Sequence, residues 1–129
     1  MGELSSAAPV GYLLCDDLLF TSRIAGTARS LGVTVRTARC VEALAKLIEQ
    51  QPPACVLIDL SKSGLDLAGL VSRIRALSPS PPRLVAYGSH VDVAALRAAR
   101  EAGCDPVLPR SKFVEELPQA LPAWLGMPA

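Results

Sequence analysis

The sequence lacks the features that mark several common functional classes. Its 13 Lys and Arg residues nearly balance 12 Asp and Glu residues, for a formal net charge of +1. No strong positive field therefore favours a phosphate backbone, and direct nucleic-acid binding is not expected. The longest apolar runs are only a few residues, far short of the roughly 20 that a membrane helix needs. No membrane span is expected either.

Cysteine is present, but in no pattern that indicates metal or redox chemistry. The four cysteines are widely separated along the chain, with no C-x-x-C pair (Cys15, Cys40, Cys55 and Cys104). Such spacing disfavours a metal cluster or a redox dithiol. Cys15 and Cys55 lie inside apolar runs, where a reduced cysteine usually serves as a small hydrophobe. The N-terminus, MGELSSAAPV, has no cationic segment followed by an apolar block, so no secretion signal is predicted and a cytoplasmic location is expected.

Five short apolar runs predict β-strands. They occupy residues 11–15, 33–38, 54–60, 83–87 and 106–109. Segments with helical spacing separate these runs, so βαβ crossovers would make the sheet parallel and place helices on both of its faces. A chain of 129 residues fits one domain of this kind. The sequence therefore predicts a single α/β domain.

The segments between the strands carry recognisable helix ends. The first helix is predicted to stop at Gly32, and the fourth to begin at an N-cap, Asp92, and to stop at Gly103. The last segment contains Pro118 and Pro122, which remove backbone donors and predict a broken helix. Apolar residues near the C-terminus are predicted to pack back onto the domain (Leu121, Trp124 and Leu125).

Charged and polar residues follow the predicted strands at one edge of the sheet, where ligands of open parallel sheets gather. Asp16 and Asp17 follow the first strand and Asp59 ends the third, while Ser89 follows the fourth and Arg110 the fifth. Like charges this close raise each other's pKa unless a cation lies between them. A hard divalent ion such as Mg²⁺ is the simplest cation to fit oxygen ligands of this kind.

Three motifs, in this order, resemble the receiver domains of two-component response regulators (CheY-like). They are YLLCDD, DLSKSGLD and AGCDPVLPR. The resemblance covers residues 10–121, leaving 1–9 as a flexible N-terminal segment and 122–129 as a C-terminal tail. It implies a single flavodoxin-like (βα)5 domain, whose five-stranded parallel sheet has the order 2-1-3-4-5 with helices on both faces.

The resemblance also implies roles for individual residues. Asp59 would accept a phosphoryl group from a histidine kinase or a phosphotransfer protein. Asp16, Asp17, Asp59 and the backbone carbonyl of Ser61 would hold Mg²⁺. The domain would stand alone and act through contacts with a downstream protein. It would not be an enzyme beyond catalysing its own phosphorylation and dephosphorylation.

The sequence departs from the receiver pattern at three positions. Gly88 stands where receivers usually carry a Thr or Ser hydroxyl, and Ser89 could replace that hydroxyl only if the loop is rearranged. Arg110 stands in place of a lysine and keeps the positive charge, on a planar guanidinium group. Lys112 is a second candidate for the role of that lysine. Val107 occupies the position of the aromatic switch residue. The usual coupling from hydroxyl to aromatic ring is therefore not expected, and the predicted switch is altered.

Two other functions stay open. In a pseudo-receiver, an interaction module that is not phosphorylated, Asp59 would cap a helix or pair with Arg110, Lys62 or Lys112. A flavin- or nucleotide-binding protein of similar topology is disfavoured, because no glycine-rich phosphate loop follows the first strand. His90, the single histidine, is predicted to be an exposed loop residue.

Overall fold

A five-stranded parallel sheet forms the centre of the molecule. The computed structural model describes residues 8–127, so residues 1–7 of the predicted N-terminal segment lie outside the described part. Elements alternate strictly along the chain: β1 (Val10–Leu14), α1 (Leu18–Leu31), β2 (Thr34–Ala38), α2 (Val41–Gln50), β3 (Cys55–Asp59), α3 (Leu67–Leu77), β4 (Arg83–Gly88), α4 (Val93–Glu101), β5 (Val107–Pro109) and α5 (Arg110–Trp124). The strand order is β2-β1-β3-β4-β5, with every neighbouring pair parallel. The predicted fold is confirmed.

Three aspartates begin helices of this domain, and one glycine ends a helix. Asp17, Asp66 and Asp92 cap α1, α3 and α4, each accepting a hydrogen bond from a backbone N–H of the first turn. Gly32 ends α1 at φ 71°, a left-handed conformation that glycine adopts without steric penalty. The predicted stop at Gly32 and the predicted cap at Asp92 are therefore confirmed.

The sheet divides the hydrophobic core into two layers, because successive strand residues face opposite sides. Every residue of β1 and β3 is buried. One layer packs the sheet against α2, α3 and α4, and the other packs it against α1 and α5. Within residues 8–127, no helix combines the length and the apolar character needed to cross a membrane.

The predicted break in the last helix is wrong. α5 runs without interruption from Arg110 to Trp124, with Pro118 and Pro122 inside it. A continuous apolar face stabilises the helix against the loss of two backbone donors (Phe113, Leu117, Leu121 and Trp124, all buried). Pro118 is exposed, so water can reach the backbone on its side of the helix. Trp124 and Leu125 pack against the domain as predicted, beyond the expected boundary at residue 121.

The core layer between the sheet and helices α1 and α5 can be tested by truncating one of its buried side chains. Leu57 is completely buried in β3. We expect Leu57→Ala to lower the free energy of unfolding by about 2–5 kcal/mol, through lost burial and the cavity left behind. Leu19, 86% exposed at the start of α1, supplies the control. Leu19→Ala should change stability by about 0.5 kcal/mol at most in the same urea titration, and equal losses would contradict the assigned burial.

Candidate functional site

Asp59 is a buried carboxylate at the carboxyl end of β3, with only 3% of its surface exposed. Its Oδ1 accepts a hydrogen bond of 2.9 Å from the backbone N–H of Ser61. The Arg110 Nη2 atom lies 3.7 Å from the same oxygen, which makes an ion pair without a direct hydrogen bond. Oδ2 accepts a 3.3 Å hydrogen bond from the thiol of Cys15. A donor or a cation therefore faces each carboxylate oxygen.

Cys15 is the site residue that the sequence pattern does not reveal. The pattern of an apolar run predicts a small hydrophobe, whereas the thiol is a polar neighbour of Asp59. Cys15 is fully buried, and this burial raises the pKa of its thiol above the ordinary value. The Asp59 carboxylate raises that pKa further, because a thiolate beside it would be a second negative charge. The thiol is therefore held in its neutral, hydrogen-donating form.

The two aspartates after β1 point to different partners. The carboxylate of Asp16 accepts a 3.3 Å hydrogen bond from the ammonium group of Lys62. The carboxylate of Asp17 accepts a 3.1 Å hydrogen bond from the backbone N–H of Phe20, as the N-cap of α1. The predicted acidic residues thus lie at one edge of the sheet, but each has its own partner.

The chemistry of these donors suits a hard divalent cation, yet their arrangement does not. Carboxylate and carbonyl oxygens are ligands that Mg²⁺ accepts. Across residues 8–127, however, no three acidic, histidine or cysteine side chains group closely enough to hold a metal ion. Lys62 and Arg110 instead place positive charge beside Asp16 and Asp59. The residues present therefore do not form a metal site in this arrangement.

Arg110 reaches the site from the junction of β5 and α5. It is the first residue of α5, and its guanidinium also lies 5.0 Å from the centre of the Phe20 ring. This cation–π contact helps to fix a side chain that is 39% exposed. The second candidate, Lys112, lies near Glu115 and Glu116 at 3.6 Å from each. The structure therefore favours Arg110 over Lys112 as the basic residue beside Asp59.

Four of the five aromatic residues form one cluster beneath the site, here called the aromatic stack (Phe20, Tyr87, Phe113 and Trp124). Tyr87 pairs with Asp59 across β3 and β4, and its ring lies 4.4 Å from that of Phe113. No well-oriented hydrogen bond to the buried Tyr87 hydroxyl exists within the described residues. Burial raises the pKa of Tyr87, and its polar neighbours Cys15 and Asp59 raise it further. The hydroxyl therefore stays protonated behind Asp59.

The three departures from the receiver pattern have different structural settings. Gly88 ends β4 in close contact with its surroundings, since a Cβ added there would lie 3.2 Å from the Cβ of Leu60. Ser89 is exposed, and its hydroxyl accepts a 3.3 Å hydrogen bond from the backbone N–H of Val91. Val107 is buried in β5, in the core layer of α2, α3 and α4. A side chain at position 88 would therefore press against Leu60.

A cavity of about 700 Å³ opens beside Arg110. Its lining includes Phe20 and Arg23 from α1, and Arg110 and Ser111 from α5. The loops after β3 and β4 contribute polar side chains to the same lining (Ser61, Ser89 and His90). His90 is exposed in its loop, as predicted. Ser61, Ser89 and Arg110 thus line the same cavity as residues of α1. The strand-end positions in the sequence do not show that α1 takes part in this cavity.

Comparison with known proteins supports the fold. No protein-family model matches the sequence, and no curated protein matches it. Among solved structures, NtrX from Brucella abortus in complex with ADP is 20% identical, with a TM-score of 0.78 over 92% of this chain and 27% of that chain. A response regulator from Thermotoga maritima is 14% identical, with a TM-score of 0.77 over 92% of this chain and 98% of that chain.

A third solved structure contains a modified site. It is a response regulator protein from Burkholderia pseudomallei with a phosphorylated aspartic acid, a calcium ion and citrate. It is 21% identical, with a TM-score of 0.73 over 90% of this chain and 66% of that chain. These likenesses, together with the strand order, show that the chain has the fold of response regulator receiver domains.

The burial of Cys15 predicts a clear order of cysteine modification. Cys40 is exposed, whereas Cys15, Cys55 and Cys104 are buried. Burial also raises the pKa of all three buried thiols, so little reactive thiolate forms at neutral pH. We expect iodoacetamide to modify Cys40 first in the native protein, as read by peptide mass spectrometry, and all four cysteines after unfolding in urea. Early modification of Cys15 would contradict its position behind Asp59.

Proposed function

We propose that this chain is a receiver-type signalling domain that accepts a phosphoryl group on Asp59 from a histidine kinase or a phosphotransfer protein. One observation carries the proposal: a strand-end carboxylate has a guanidinium 3.7 Å away, at the margin of a polar cavity. This arrangement supplies a nucleophile and a cation to receive phosphoryl oxygens. The receiver fold of the solved structures supports the same class of function.

The transfer follows from the groups of this chain. A carboxylate oxygen of Asp59 forms the new O–P bond, the P–N bond of the phosphohistidine donor breaks, and the freed imidazole takes up a proton. Such transfers depend on positioning and on charge stabilisation, with little further covalent chemistry from the protein. The Ser61 N–H fixes one carboxylate oxygen, and Arg110 would stabilise the phosphoryl oxygens by charge-assisted hydrogen bonds.

The proposal includes a divalent cation because the sequence resembles receiver domains. The chemistry that Mg²⁺ would supply there is positive charge that offsets the negative charge of a phosphoryl group. Asp16, Asp17, Asp59 and the Ser61 carbonyl are the residues that would hold it, and Asp16 would first have to leave Lys62, now 3.3 Å away. Cation binding is therefore proposed to be weak and to compete with Lys62.

The proposed output is a protein contact controlled by an altered switch. Val107 has no ring to move, and Gly88 has no hydroxyl to follow a phosphoryl group. Arg110 contacts both Asp59 and the ring of Phe20. A phosphoryl group on Asp59 would therefore act first on Arg110 and through it on α1. The downstream partner is proposed to recognise that change.

The burial of Asp59 favours a second candidate function, that of a constitutive interaction domain. Both carboxylate oxygens are engaged, one by Ser61 and Arg110 and the other by Cys15. A phosphodonor would have to displace at least one of these contacts to reach an oxygen. In this reading the charged cluster stabilises the fold, and the domain binds its partner without phosphorylation.

Phosphorylation by a small donor separates the two candidates. We expect incubation with Mg²⁺ and acetyl phosphate to add one phosphoryl group, detected by intact mass spectrometry. The adduct should be absent from Asp59→Asn, because the amide is not a nucleophile. Asp92→Asn is the matched control, since Asn also caps helices and Asp92 lies at the exposed start of α4. No adduct with several donors, in a folded protein, would favour the constitutive interaction domain.

Arg110 can be tested against its neighbour Lys112. We expect Arg110→Gln to slow adduct formation by about 10-fold or more, because the charge beside the phosphoryl oxygens is lost. Lys112→Gln removes the same charge from an exposed side chain paired with Glu115 and Glu116, and it should leave the rate nearly unchanged. The rates come from the time course of the mass shift. Equal rates for the two variants would show that Arg110 contributes only as one of many surface charges and has no specific role beside Asp59.

A further inference from the structure

The cavity beside Arg110 has the lining of an anion site. Two arginines, Arg23 and Arg110, line it, and no Asp or Glu lies among its lining residues. The acid that pairs with Arg110, Asp59, is 3% exposed and is not among the lining residues. The charged side chains of the lining are therefore positive. A positive surface of this kind attracts anions even though the net charge of the whole chain is only +1.

The start of α5 adds backbone donors to the same cavity. α5 is 15 residues long, and no side chain caps its first turn because Pro109 precedes it. The lining includes Pro109, Arg110 and Ser111, so the first turn of α5, whose N–H groups have no side-chain cap, borders the cavity. An anion there gains hydrogen bonds and the favourable end of the helix dipole, besides the arginine charges.

The size and the apolar part of the cavity indicate more than a phosphoryl group. A volume of about 700 Å³ falls within the range of small-molecule sites. Val114, which is half-buried, and the small exposed part of Phe20, a residue that is 8% exposed, supply apolar surface beside the arginines. A phosphoryl group on Asp59 would occupy only the part of the cavity next to Arg110. The part next to Arg23 and Val114 would remain open.

We propose that this cavity binds a small organic anion, intact, with a phosphate-like headgroup at Arg23 and Arg110 and a small apolar body beside Val114 and Phe20. The binding does not require phosphorylation of Asp59, so it is separate from the proposed function. The two are coupled because Arg110 serves both. An anion that engages Arg110 weakens its ion pair with Asp59, and a neutral side chain at position 59 leaves Arg110 entirely to the anion.

Phenylphosphonate is a suitable probe, since its P–C bond prevents it from acting as a phosphodonor. We expect saturable binding to the folded chain, followed by NMR titration, with a Kd of about 1 mM or below. Inorganic phosphate should bind more weakly because it lacks the apolar body. Equal binding of phosphate and phenylphosphonate would show a simple phosphate site and overturn the organic part of the proposal. Benzyl alcohol, which lacks the charge, should not bind detectably.

Variants of two arginines on the same helix locate the site. Arg23→Gln should weaken phenylphosphonate binding by about 10-fold. Arg29→Gln changes another exposed arginine of α1 that does not line the cavity, and it should bind like the unmodified protein. Asp59→Asn should tighten binding, because Arg110 loses its competing carboxylate. No saturable binding, or equal losses in both arginine variants, would overturn the proposal.

The two proposals fail independently. Arg23 makes no hydrogen bond or ion pair with Asp59 within residues 8–127, so Arg23→Gln should still take up a phosphoryl group from acetyl phosphate. An adduct without phenylphosphonate binding would leave the phosphoacceptor function and overturn the ligand site. Phenylphosphonate binding without an adduct would leave the ligand site and contradict the phosphoacceptor function.

Discussion

The burial of one negative charge constrains the rest of the site. A carboxylate that is only 3% exposed loses most of its hydration, and the protein must replace that hydration with donors and positive charge. Ser61, Cys15 and Arg110 supply them at Asp59. Removing one partner of a fully buried ion pair costs about 3–5 kcal/mol, and the 39% exposure of Arg110 reduces that figure through screening by water. The identity of position 110 is therefore tied to Asp59.

The placement of that positive charge depends on the packing of α5. Arg110 begins this helix, so the helix axis fixes the point from which its guanidinium reaches Asp59. The axis is fixed in turn by the buried face of α5, where Phe113 stacks on Tyr87 at 4.4 Å and on Trp124 at 5.8 Å. Phe20 contacts the same cluster and also lies under the Arg110 guanidinium. The scarce aromatic residues thus join the core layer of α1 and α5 directly to the charged site.

Periodicity in the sequence predicted a single α/β domain with a parallel sheet, because strands and amphipathic helices leave different apolar patterns, and the resemblance to receiver domains supplied the strand order. It was wrong at α5, where a local rule about proline ignored the tertiary packing of the apolar face. It also missed Cys15, and alternation along the strand explains why. Leu13 and Cys15 face the layer of Leu57, so the thiol reaches Asp59, while the next residue, Asp16, reaches Lys62. The position of a residue at a strand end shows which edge of the sheet it occupies. Which side chain contacts Asp59 also depends on the side of the sheet that each residue faces, and this changes from one residue to the next.

Competition among positive charges connects the two candidate functions with the cavity. Lys62 neutralises Asp16 and Arg110 neutralises Asp59, so side chains already occupy the role that a divalent cation would take. A phosphoryl group or an organic anion adds negative charge to the same edge and must draw on the same arginine. Because Arg110 is partly exposed and lies 3.7 Å from Asp59, its pairing is weak enough to be exchanged. In the proposed function, exchange of partners at Arg110, next to Phe20, would provide a route from the site to α1 that needs neither a mobile ring at Val107 nor a hydroxyl at Gly88.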